Sequence, residues 1–306
     1  MLVTMKEILD RASKENYGVA APNVSNSIDV SAAIEAAEEL NAPIIHDVML
    51  NDEGWGGKKN VGVRELGMWM RKRAEMAKVP VAINEDHGPS FAAAIQNIKN
   101  GVTSIMVDRS SLPFEENVRQ VRELVRVAHS CGISVEAELG HVGQANNYAN
   151  DSSEEFLTKP EDAVRYIKET GVDCLAVAIG TAHGKYPDGF VPTIHFDRLK
   201  EIKDAVGDFP LVLHGSSGTR NEDLYKVCRM GINKININTD LQLAGIEAIK
   251  AGAGHGVWMT AAEGWKKKLK EMIVVYGSDG KAWTDIENCE PVAKWVEAEA
   301  DVVREH

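Results

Sequence analysis

Short apolar runs alternate with amphipathic stretches along most of the chain. Eight of these runs are brief, apolar and bounded by Gly, Pro or polar residues, which is typical of buried strands. They predict strands at 18–24, 43–47, 80–84, 104–108, 134–138, 174–179, 210–213 and 234–238. The sixth run is entirely apolar, as in a strand that is buried on both faces.

The stretches between the runs predict helices. Ile28, Ala32, Ala36 and Leu40, for example, recur at four-residue steps. The predicted helices lie at 5–16, 28–40, 61–77, 91–100, 114–131, 160–170, 196–206 and 221–230. Eight such alternations predict an α/β fold, the (β/α)8 TIM barrel. A doubly wound sheet is the alternative, but the one dense glycine run, at 252–256, lacks the GxGxxG spacing that such sheets use for phosphates.

A single TIM-barrel domain is predicted to span residues 1–306, because no repeat or low-complexity linker divides the chain. Its barrel core is predicted at about 18–250 and a C-terminal helical segment at about 251–306. The polar segment 140–155 is long for a connection between a strand and a helix. It is therefore a candidate lid over an active site.

Composition narrows the class of protein. The 306 residues are 44% hydrophobic and 26% charged, with a net charge of −12, which argues against a nucleic-acid partner or an anionic membrane surface. Four cysteines without a CxxC pair fit a reducing compartment. No signal peptide and no apolar run of the ~20 residues that span a membrane is apparent. We therefore expect a soluble, cytoplasmic protein.

Three histidines follow predicted strands at corresponding places: His87, His183 and His214 come just after strands three, six and seven. Catalytic groups of a barrel gather at the carboxyl ends of its strands, and three imidazoles with an open fourth position describe a catalytic zinc site. The alternative is that each histidine merely bonds to a neighbour. Asp86 precedes His87 and should leave the strand in a different direction, so that one side chain holds a metal while the other moves a proton. Alternatively, Asp86 caps the next helix.

Other strand ends are also polar. Asp108 ends strand four, and strand five carries Glu136 and Glu138. Glycine follows both His183 and His214, with Ser216, Ser217 and Thr239 close by. Backbone N–H groups of glycine-rich turns, together with hydroxyls, form anion sites that commonly take phosphate. Ordinary turn chemistry would explain the same residues.

Several motifs together resemble one known family. They are Asp86-His-Gly88, Ser110-Ser-Leu-Pro-Phe-Glu-Glu-Asn117, Val135-Glu-Ala-Glu-Leu-Gly140, Leu175-Ala-Val-Ala-Ile-Gly-Thr-Ala-His-Gly184, Leu211-Val-Leu-His-Gly215, Lys234-Ile-Asn236 and Tyr276-Gly-Ser-Asp-Gly-Lys-Ala282. In these motifs the chain resembles the class II, zinc-dependent ketose-bisphosphate aldolases, from about Met5 to Ala282. The resemblance implies reversible retro-aldol cleavage of fructose or tagatose 1,6-bisphosphate to dihydroxyacetone phosphate and an aldehyde.

The resemblance also implies roles for matching residues. His87, His183 and His214 would bind Zn²⁺, Asp86 would exchange the proton of the substrate's C4 hydroxyl, and Asn236 would hold the enediolate of dihydroxyacetone phosphate. Asp108 and Glu136 would bind a second metal or orient the zinc ligands. The residues implied in phosphate or substrate binding are Gly184, Gly215, Ser217, Asn236, Asn238 and Thr239. A monovalent cation, Na⁺ or K⁺, and a homodimer or homotetramer are further implications.

The chain departs from the family pattern around the distal half of the substrate. Asn84-Glu85 replaces His-Leu, Arg109 replaces a small residue, Met49 aligns with a serine and Asn238 with an aspartate. The candidate lid reads Gly-Gln-Ala-Asn-Asn at 143–147, where the family has Gly-Gly-Gln-Glu-Asp, including the carboxylate proposed to move the C3 proton. Glu154 and Glu155 lie further along the loop and are the candidate substitutes.

These departures predict retained chemistry on an altered substrate, with Arg109 and Met49 as candidate specificity residues. We expect Arg109 to contact a distal anionic group; the alternative is a solvated Arg109 that pairs with a nearby carboxylate. The competing functions are an aldolase for a different ketose 1-phosphate, such as a sulfonated or deoxy sugar, and a non-catalytic barrel that binds sugar phosphates.

Overall fold

Eight parallel strands form the centre of the protein in a computed structural model, which describes residues 1–48, 63–140, 142–143, 145, 156–187, 189–252 and 256–283. The strands are β1 (Val19–Pro22), β2 (Ile44–Val48), β3 (Val81–Gly88), β4 (Ser104–Val107), β5 (Ser134–Leu139), β6 (Cys174–Val177), β7 (Leu211–Leu213) and β8 (Ile232–Ile237). Their order in the sheet is β1-β8-β7-β6-β5-β4-β3-β2. A parallel bridge between Asn23 and Asp47 brings β1 beside β2. The sheet is therefore a nearly closed barrel, and the predicted (β/α)8 fold is confirmed.

Helices separate the strands and cover the barrel. The described helices are α1 (Met5–Glu15), α2 (Ser27–Glu39), α3 (Val63–Met76), α4 (Phe91–Asn100), α5 (Phe114–Ser130), α6 (Pro160–Thr170), α7 (Phe196–Val206), α8 (Asn221–Arg229), α9 (Thr239–Lys250) and α10 (Val257–Tyr276). Local sequence sets their ends. In α6, for example, Pro160 occupies the first turn and Gly171 adopts the left-handed conformation after the last residue, as expected for these two residue types.

Two apolar cores result from the alternation of side chains along the strands. The larger core lies between the strands and the surrounding helices. The smaller core fills the barrel interior near the amino ends of the strands, where Val19, Ala82 and Val212 pack with Ile8 and Leu9 of α1. Helix α1 begins with a capping box formed by Thr4 and Glu7. It therefore closes the amino end of the barrel.

Strand β3 differs most from its prediction, because it continues to Gly88 instead of ending near Asn84. The register of its pairing with β4 shifts between Glu85 and Gly88, and His87 has a φ of 47°. A Cβ atom added at Gly88 would lie 2.7 Å from the carbonyl oxygen of Met106, so only glycine fits there. This irregularity occurs where Asp86 and His87 leave the strand.

Some predicted features lie outside the described residues. They are Met49, the candidate lid from 146 to 155, and the part of the C-terminal segment after Trp283. Before that point α10 supplies the helix predicted for the segment. Within the described ranges, no helix combines the length and the apolar character that crossing a bilayer requires.

Candidate active site

A cleft of about 750 Å³ opens at the carboxyl end of the barrel. Most of the residues predicted from sequence to form the site share this cleft. They are Asp86, His87, Asp108, His183, Gly184, Gly215, Ser217, Asn236, Asn238 and Thr239. Glu136 does not line the cleft; it lies below it and is 1% exposed. The barrel thus brings together strand ends that are far apart in the chain.

The three predicted histidines converge in this cleft. The ring centroid of His87 lies 5.0 Å from that of His183 and 4.8 Å from that of His214. Glu138 of β5 completes the cluster, and one ligating atom from each of the four residues lies within 4.8 Å of all the others. Four donors from four strand ends therefore face one small volume.

The donor set fits a divalent metal ion. Three imidazoles and a carboxylate are ligands that zinc takes in catalytic sites. The Nε2 atom of His87 is buried and has no hydrogen-bond partner among the described residues, which is unusual for a buried polar atom. Burial and the neighbouring His214 and His87 lower the pKa of His183 to about 4, so its ring is neutral and can donate a lone pair.

Carboxylates hold two of these rings in place. His87 Nδ1 lies 3.0 Å from Asp108 Oδ2. His214 has Glu138 Oε2 at 2.7 Å from Nδ1 and Glu136 Oε1 at 2.8 Å from Nε2. Because Glu138 lines the cleft and Glu136 lies below it, the Nδ1 side of His214 faces the cleft. Asp108 and Glu136 therefore occupy positions from which they orient metal-binding rings.

His183 reaches the cluster from the loop after β6. Its backbone N–H donates to the Gly143 carbonyl, and its own carbonyl accepts from the Ala145 N–H, each at 2.8 Å. The loop after β6 is thereby tied to the beginning of the candidate lid. This contact places the backbone of the lid's first residues beside a candidate metal ligand.

Asp86 is held by two amides rather than capping a helix, since Ser90 caps α4. Asn23 Nδ2 donates to Asp86 Oδ2 at 2.9 Å, and Asn236 Nδ2 donates to Asp86 Oδ1 at 3.0 Å. Burial raises the pKa of Asp86, but the positive charges of His87 and Lys234 outweigh burial and hold the pKa well below its usual range. Asp86 is therefore an oriented carboxylate, 3.9 Å from His87 Nε2.

The irregularity in β3 explains why two consecutive residues share one site. Regular alternation would point Asp86 and His87 to opposite sides of the sheet, yet both line the cleft. The register shift and the left-handed backbone of His87 re-aim one of the side chains, as bulges beside active sites commonly do. The expectation that the two side chains diverge is thus corrected by the local backbone.

The cleft is also lined by Gly215, Ser217 and Thr239, which the sequence predicts to bind phosphate. Gly215 has a φ of 64°, and a Cβ atom there would lie 2.5 Å from the Ala182 carbonyl, so a glycine is required. The nearby helix α9 begins at Thr239 without a side-chain hydrogen bond from its N-cap residue, Asn238. The N–H groups of a helix N-terminus favour a bound phosphate. One of those of α9, the Asp240 N–H, donates to Ser217 Oγ at 3.3 Å.

Comparison with known proteins decides the family. The family model for class II fructose-bisphosphate aldolase matches residues 3–281. The chain belongs to this family. A fructose-bisphosphate aldolase of Thermus caldophilus is 37% identical over 312 residues, which cover 92% of this chain and 100% of the relative. The protein YdjI of Escherichia coli K12 is 36% identical over 285 residues, with 92% and 100% covered.

The crystal structure of the YdjI aldolase superposes on this chain with a TM-score of 0.79 at 33% sequence identity. The superposition covers 92% of this chain and 100% of the other. The chain is therefore similar over nearly its whole length to one relative named for fructose bisphosphate and to one named only as an aldolase.

Two polar residues of this class II aldolase were missed as site residues from the sequence. Glu138 lies in the metal-binding cluster, where Glu136 was the predicted strand-five residue. Its signal was available, since residues two apart in a strand share a face and Glu138 is nearer to the carboxyl end. Asn23 contacts Asp86 through the closure of β1 against the rest of the barrel, which sequence periodicity does not reveal.

Arg109 lies apart from the cleft. Its Nε donates to Gln120 Oε1 at 2.5 Å and its Nη1 donates to the Asp108 carbonyl at 2.7 Å. Both Arg109 and Gln120 line a separate cavity of about 230 Å³ beside α5. Among the described residues Arg109 thus contacts Gln120 and the Asp108 carbonyl and forms no ion pair with a carboxylate. Its predicted contact with a distal group of the substrate stays a prediction.

Proposed function

We propose that this protein is a zinc-dependent aldolase that reversibly cleaves a ketose 1,6-bisphosphate, of fructose or tagatose, to dihydroxyacetone phosphate and an aldehyde. The observation that carries the proposal is the position of Asp86 beside the cluster of three histidines and Glu138, within one cleft. Such a cleft joins a metal-binding donor set to an oriented proton acceptor, which retro-aldol chemistry requires.

The metal would be held by His87, Glu138, His183 and His214. When bound, a divalent cation would supply electrostatic stabilisation of the negative charge that develops on the dihydroxyacetone phosphate fragment. The protein would contribute the orientation of the rings, through Asp108 behind His87 and Glu136 behind His214. Alternatively, Asp108 would bind a second metal ion. A monovalent cation, Na⁺ or K⁺, would lie near the phosphate.

Asp86 would take the proton from the C4 hydroxyl as the C3–C4 bond breaks, and would return it in the direction of synthesis. Its lowered pKa keeps Asp86 ionised before the reaction, and its two amide contacts hold the carboxylate in place. The Asn236 amide, whose Nδ2 faces Asp86, would donate to the enediolate that forms beside it. Gly184, Gly215, Ser217, Asn238 and Thr239 would bind the phosphate and so place the reacting carbons near Asp86.

A second candidate is an aldolase for a different ketose 1-phosphate. The similarity to the YdjI aldolase, whose name carries no substrate, favours testing it. Lys and Arg are absent from the described lining of the cleft, so only the glycines, hydroxyls and amides proposed for one phosphate are on hand for a second one. A non-catalytic sugar-phosphate-binding barrel is less well supported, because binding alone needs no oriented Asp86.

The test is cleavage of a panel of ketose phosphates by zinc-loaded protein, with dihydroxyacetone phosphate as the measured product and a chelated sample as control. Release from fructose or tagatose bisphosphate that chelation abolishes supports the proposal. Release only from ketose 1-phosphates supports the second candidate. Zinc binding without turnover on any substrate would overturn both aldolase assignments.

Arg109→Ala tests the predicted specificity role of Arg109. If Arg109 contacts a distal charge, kcat/KM falls on substrates that carry this charge and not on those that lack it. Since the guanidinium points to Gln120, we expect changes of less than about threefold that are equal on both substrates. Met49 lies outside the described residues. The variant Met49→Ser tests its predicted specificity role through the same comparison of kcat/KM.

We also propose a cytoplasmic homodimer or homotetramer. The described cysteines, Cys131, Cys174 and Cys228, are free thiols, in keeping with a reducing compartment. Large apolar side chains are exposed on α3 and α10, including Trp69 at 43% and Trp258 at 75%, and such residues are enriched at interfaces. Light scattering after size-exclusion chromatography tests the assembly; a monomer at micromolar concentration would contradict it.

A further inference from the structure

A buried lysine lies at the centre of the barrel, directly below the cleft. Lys234 of β8 is completely buried. It is two residues before Asn236, so both side chains point to the same face of the strand. Its Nζ donates to Asn236 Oδ1 at 2.7 Å. It also forms ion pairs with Asp47 Oδ2 of β2 at 3.0 Å and with Glu136 Oε2 of β5 at 2.9 Å.

These three contacts surround the ammonium group. An ammonium group can donate hydrogen bonds but cannot accept them; Lys234 donates to Asn236 Oδ1 and is paired with the Asp47 and Glu136 carboxylates. Burial alone would lower the pKa of Lys234, but the Asp47 and Glu136 carboxylates outweigh it and hold the pKa above its usual range. The ammonium is therefore charged, and its position is fixed from three strands.

The contact with Asn236 selects one orientation of an amide. An amide side chain has an acceptor end and a donor end, which a half-turn of the group exchanges. Because Lys234 can only donate, it binds Oδ1 of Asn236, and Nδ2 is left facing Asp86 Oδ1 at 3.0 Å. The donor end of Asn236 consequently points toward the reacting part of the cleft.

Asp86 by itself would not maintain this orientation through a turnover. In the proposed function Asp86 takes up a proton from the substrate, and a protonated carboxyl group can donate to the amide oxygen as readily as accept from its nitrogen. Lys234 carries the same charge and the same three donors at every step. Its contact with Oδ1 thus keeps Nδ2 available when the enediolate forms.

We propose that Lys234 is a positioning residue that presents the Asn236 amide to the enediolate, a role that rests on the proposed aldolase function. Lys234 itself does not line the cleft and acts through Asn236. It also joins the two sides of the site, because Glu136, which accepts from Lys234 with Oε2, lies 2.8 Å from His214 Nε2 with Oε1.

The test compares a double variant, in which one positive and one negative buried charge are removed together, with a single variant as its reference. Asp47→Asn alone is the reference, because it retains Lys234 and its contact with Asn236. Lys234→Met combined with Asp47→Asn removes one positive and one negative charge and leaves Asn236 without the ammonium. Relative to the reference, we expect kcat to fall by about 10- to 100-fold, as misplaced catalytic groups commonly cause, while KM and the zinc content change by less than about twofold.

A half-reaction gives a readout that a purely structural role would not move. Exchange of the C3 protons of dihydroxyacetone phosphate with solvent deuterium passes through the same enediolate. It should fall by the same factor as kcat, while the melting temperature of the double variant stays near that of the reference. Lys234→Gln in the Asp47→Asn background should recover part of the rate, because its amide N–H can donate to Asn236 Oδ1.

Adding Asn236→Ala to each background decides whether Lys234 acts through Asn236. We expect a large loss of kcat in the Asp47→Asn background and almost none in the Lys234→Met background, since coupled residues are not additive. Equal losses in both backgrounds, or an unchanged kcat in the Lys234→Met variant, would overturn the proposal. If the Lys234→Met variant does not fold, the Lys234→Gln variant replaces it in the same comparison. Its loss of kcat on addition of Asn236→Ala should again be smaller than the loss in the Asp47→Asn background.

The controls separate this proposal from the function on which it rests. If the wild-type protein neither cleaves a ketose phosphate nor exchanges protons, the aldolase function falls, and the role of Lys234 with it. If the wild-type protein is active but the losses are additive, only the positioning role falls.

Discussion

The two ends of the barrel interior are built from the same eight strands but from opposite kinds of residue. At the amino end, Val19, Ala82 and Val212 pack against Ile8 and Leu9 of α1. At the carboxyl end, the buried side chains include Asp86, Glu136, His214 and Lys234. Apolar burial stabilises the first end without any directional requirement.

The polar end follows different rules, since each buried charge is costly unless it is paired and hydrogen-bonded. Asp86 has two amide donors, and Lys234 has one amide acceptor and two paired carboxylates. Directional contacts therefore define the chemistry at this end, whereas the packing at the other end holds the scaffold. We therefore expect substitutions at the carboxyl end to change mainly kcat, and substitutions at the amino end to change mainly the free energy of unfolding.

The largest effect is expected for Asp86→Ala at the carboxyl end. Loss of the proton acceptor should lower kcat by about 10²- to 10⁴-fold, the usual contribution of a general base. The three histidines and Glu138 are retained, so the zinc content should stay the same. Steady-state cleavage and metal analysis of the same sample measure both quantities, and undiminished cleavage would contradict the role of Asp86.

Leu9→Ala at the amino end should give the reverse pattern. Leu9 is 1% exposed, and truncation of such a side chain lowers the free energy of unfolding by about 2–5 kcal/mol. The kcat of the folded protein should not change. Urea unfolding and kinetics measure the two effects, with Lys14→Ala on the exposed side of the same helix as control. A loss of kcat at unchanged stability would break the distinction between the ends.

Asp108→Ala should produce an intermediate effect, on metal affinity. Asp108 orients His87 through its Nδ1, and loss of such a partner typically weakens metal binding by about 10- to 100-fold. Zinc titration against a competing chelator measures the change, with the exposed Asp204→Asn as control. A drop in bound zinc from two ions to one, at unchanged affinity of the other, would instead assign Asp108 to a second metal site.

The smallest effect concerns an ion pair near the amino end. His129 Nε2 lies 2.8 Å from Asp173 Oδ2, and this hydrogen bond and the charge of Asp173 raise the pKa of His129 despite partial burial. Because the pKa of His129 is higher in the folded than in the unfolded protein, protonated His129 stabilises the fold. This stabilisation is complete below the unfolded-state pKa of about 6.5 and is lost as the pH rises through the folded-state pKa. The His129 side chain is 42% exposed, so the contribution should be less than about 1 kcal/mol.

His129→Gln should therefore lower the free energy of unfolding more at pH 5.5 than at pH 9. Urea unfolding at the two pH values measures the difference, and Arg126→Gln on the same helix is the control. An equal change at both pH values would show that the pair contributes through packing rather than charge.

Sequence reasoning located residues whose place in the fold depends on their position along one strand. His183 and His214 were recognised because they follow apolar runs, and the barrel explains why such positions meet. It failed where function depends on contacts between strands. The irregularity of β3 depends on its pairing with β4. The hydrogen bond from Asn23 to Asp86 forms only because the closure of the barrel brings β1 near β3. The direction of Arg109 is set by Gln120 of α5, which local pattern does not encode.

The dispersal of the candidate metal-binding cluster along the chain has a consequence for biosynthesis. Its members come from β3, β5, the loop after β6 and the end of β7, so the complete donor set exists only after the strands that carry it have assembled. Each long-range contact must first overcome the entropy of closing the chain between its partners. Uptake of the ion should therefore be a late event in folding, and its rate would report when a newly made chain has closed its barrel.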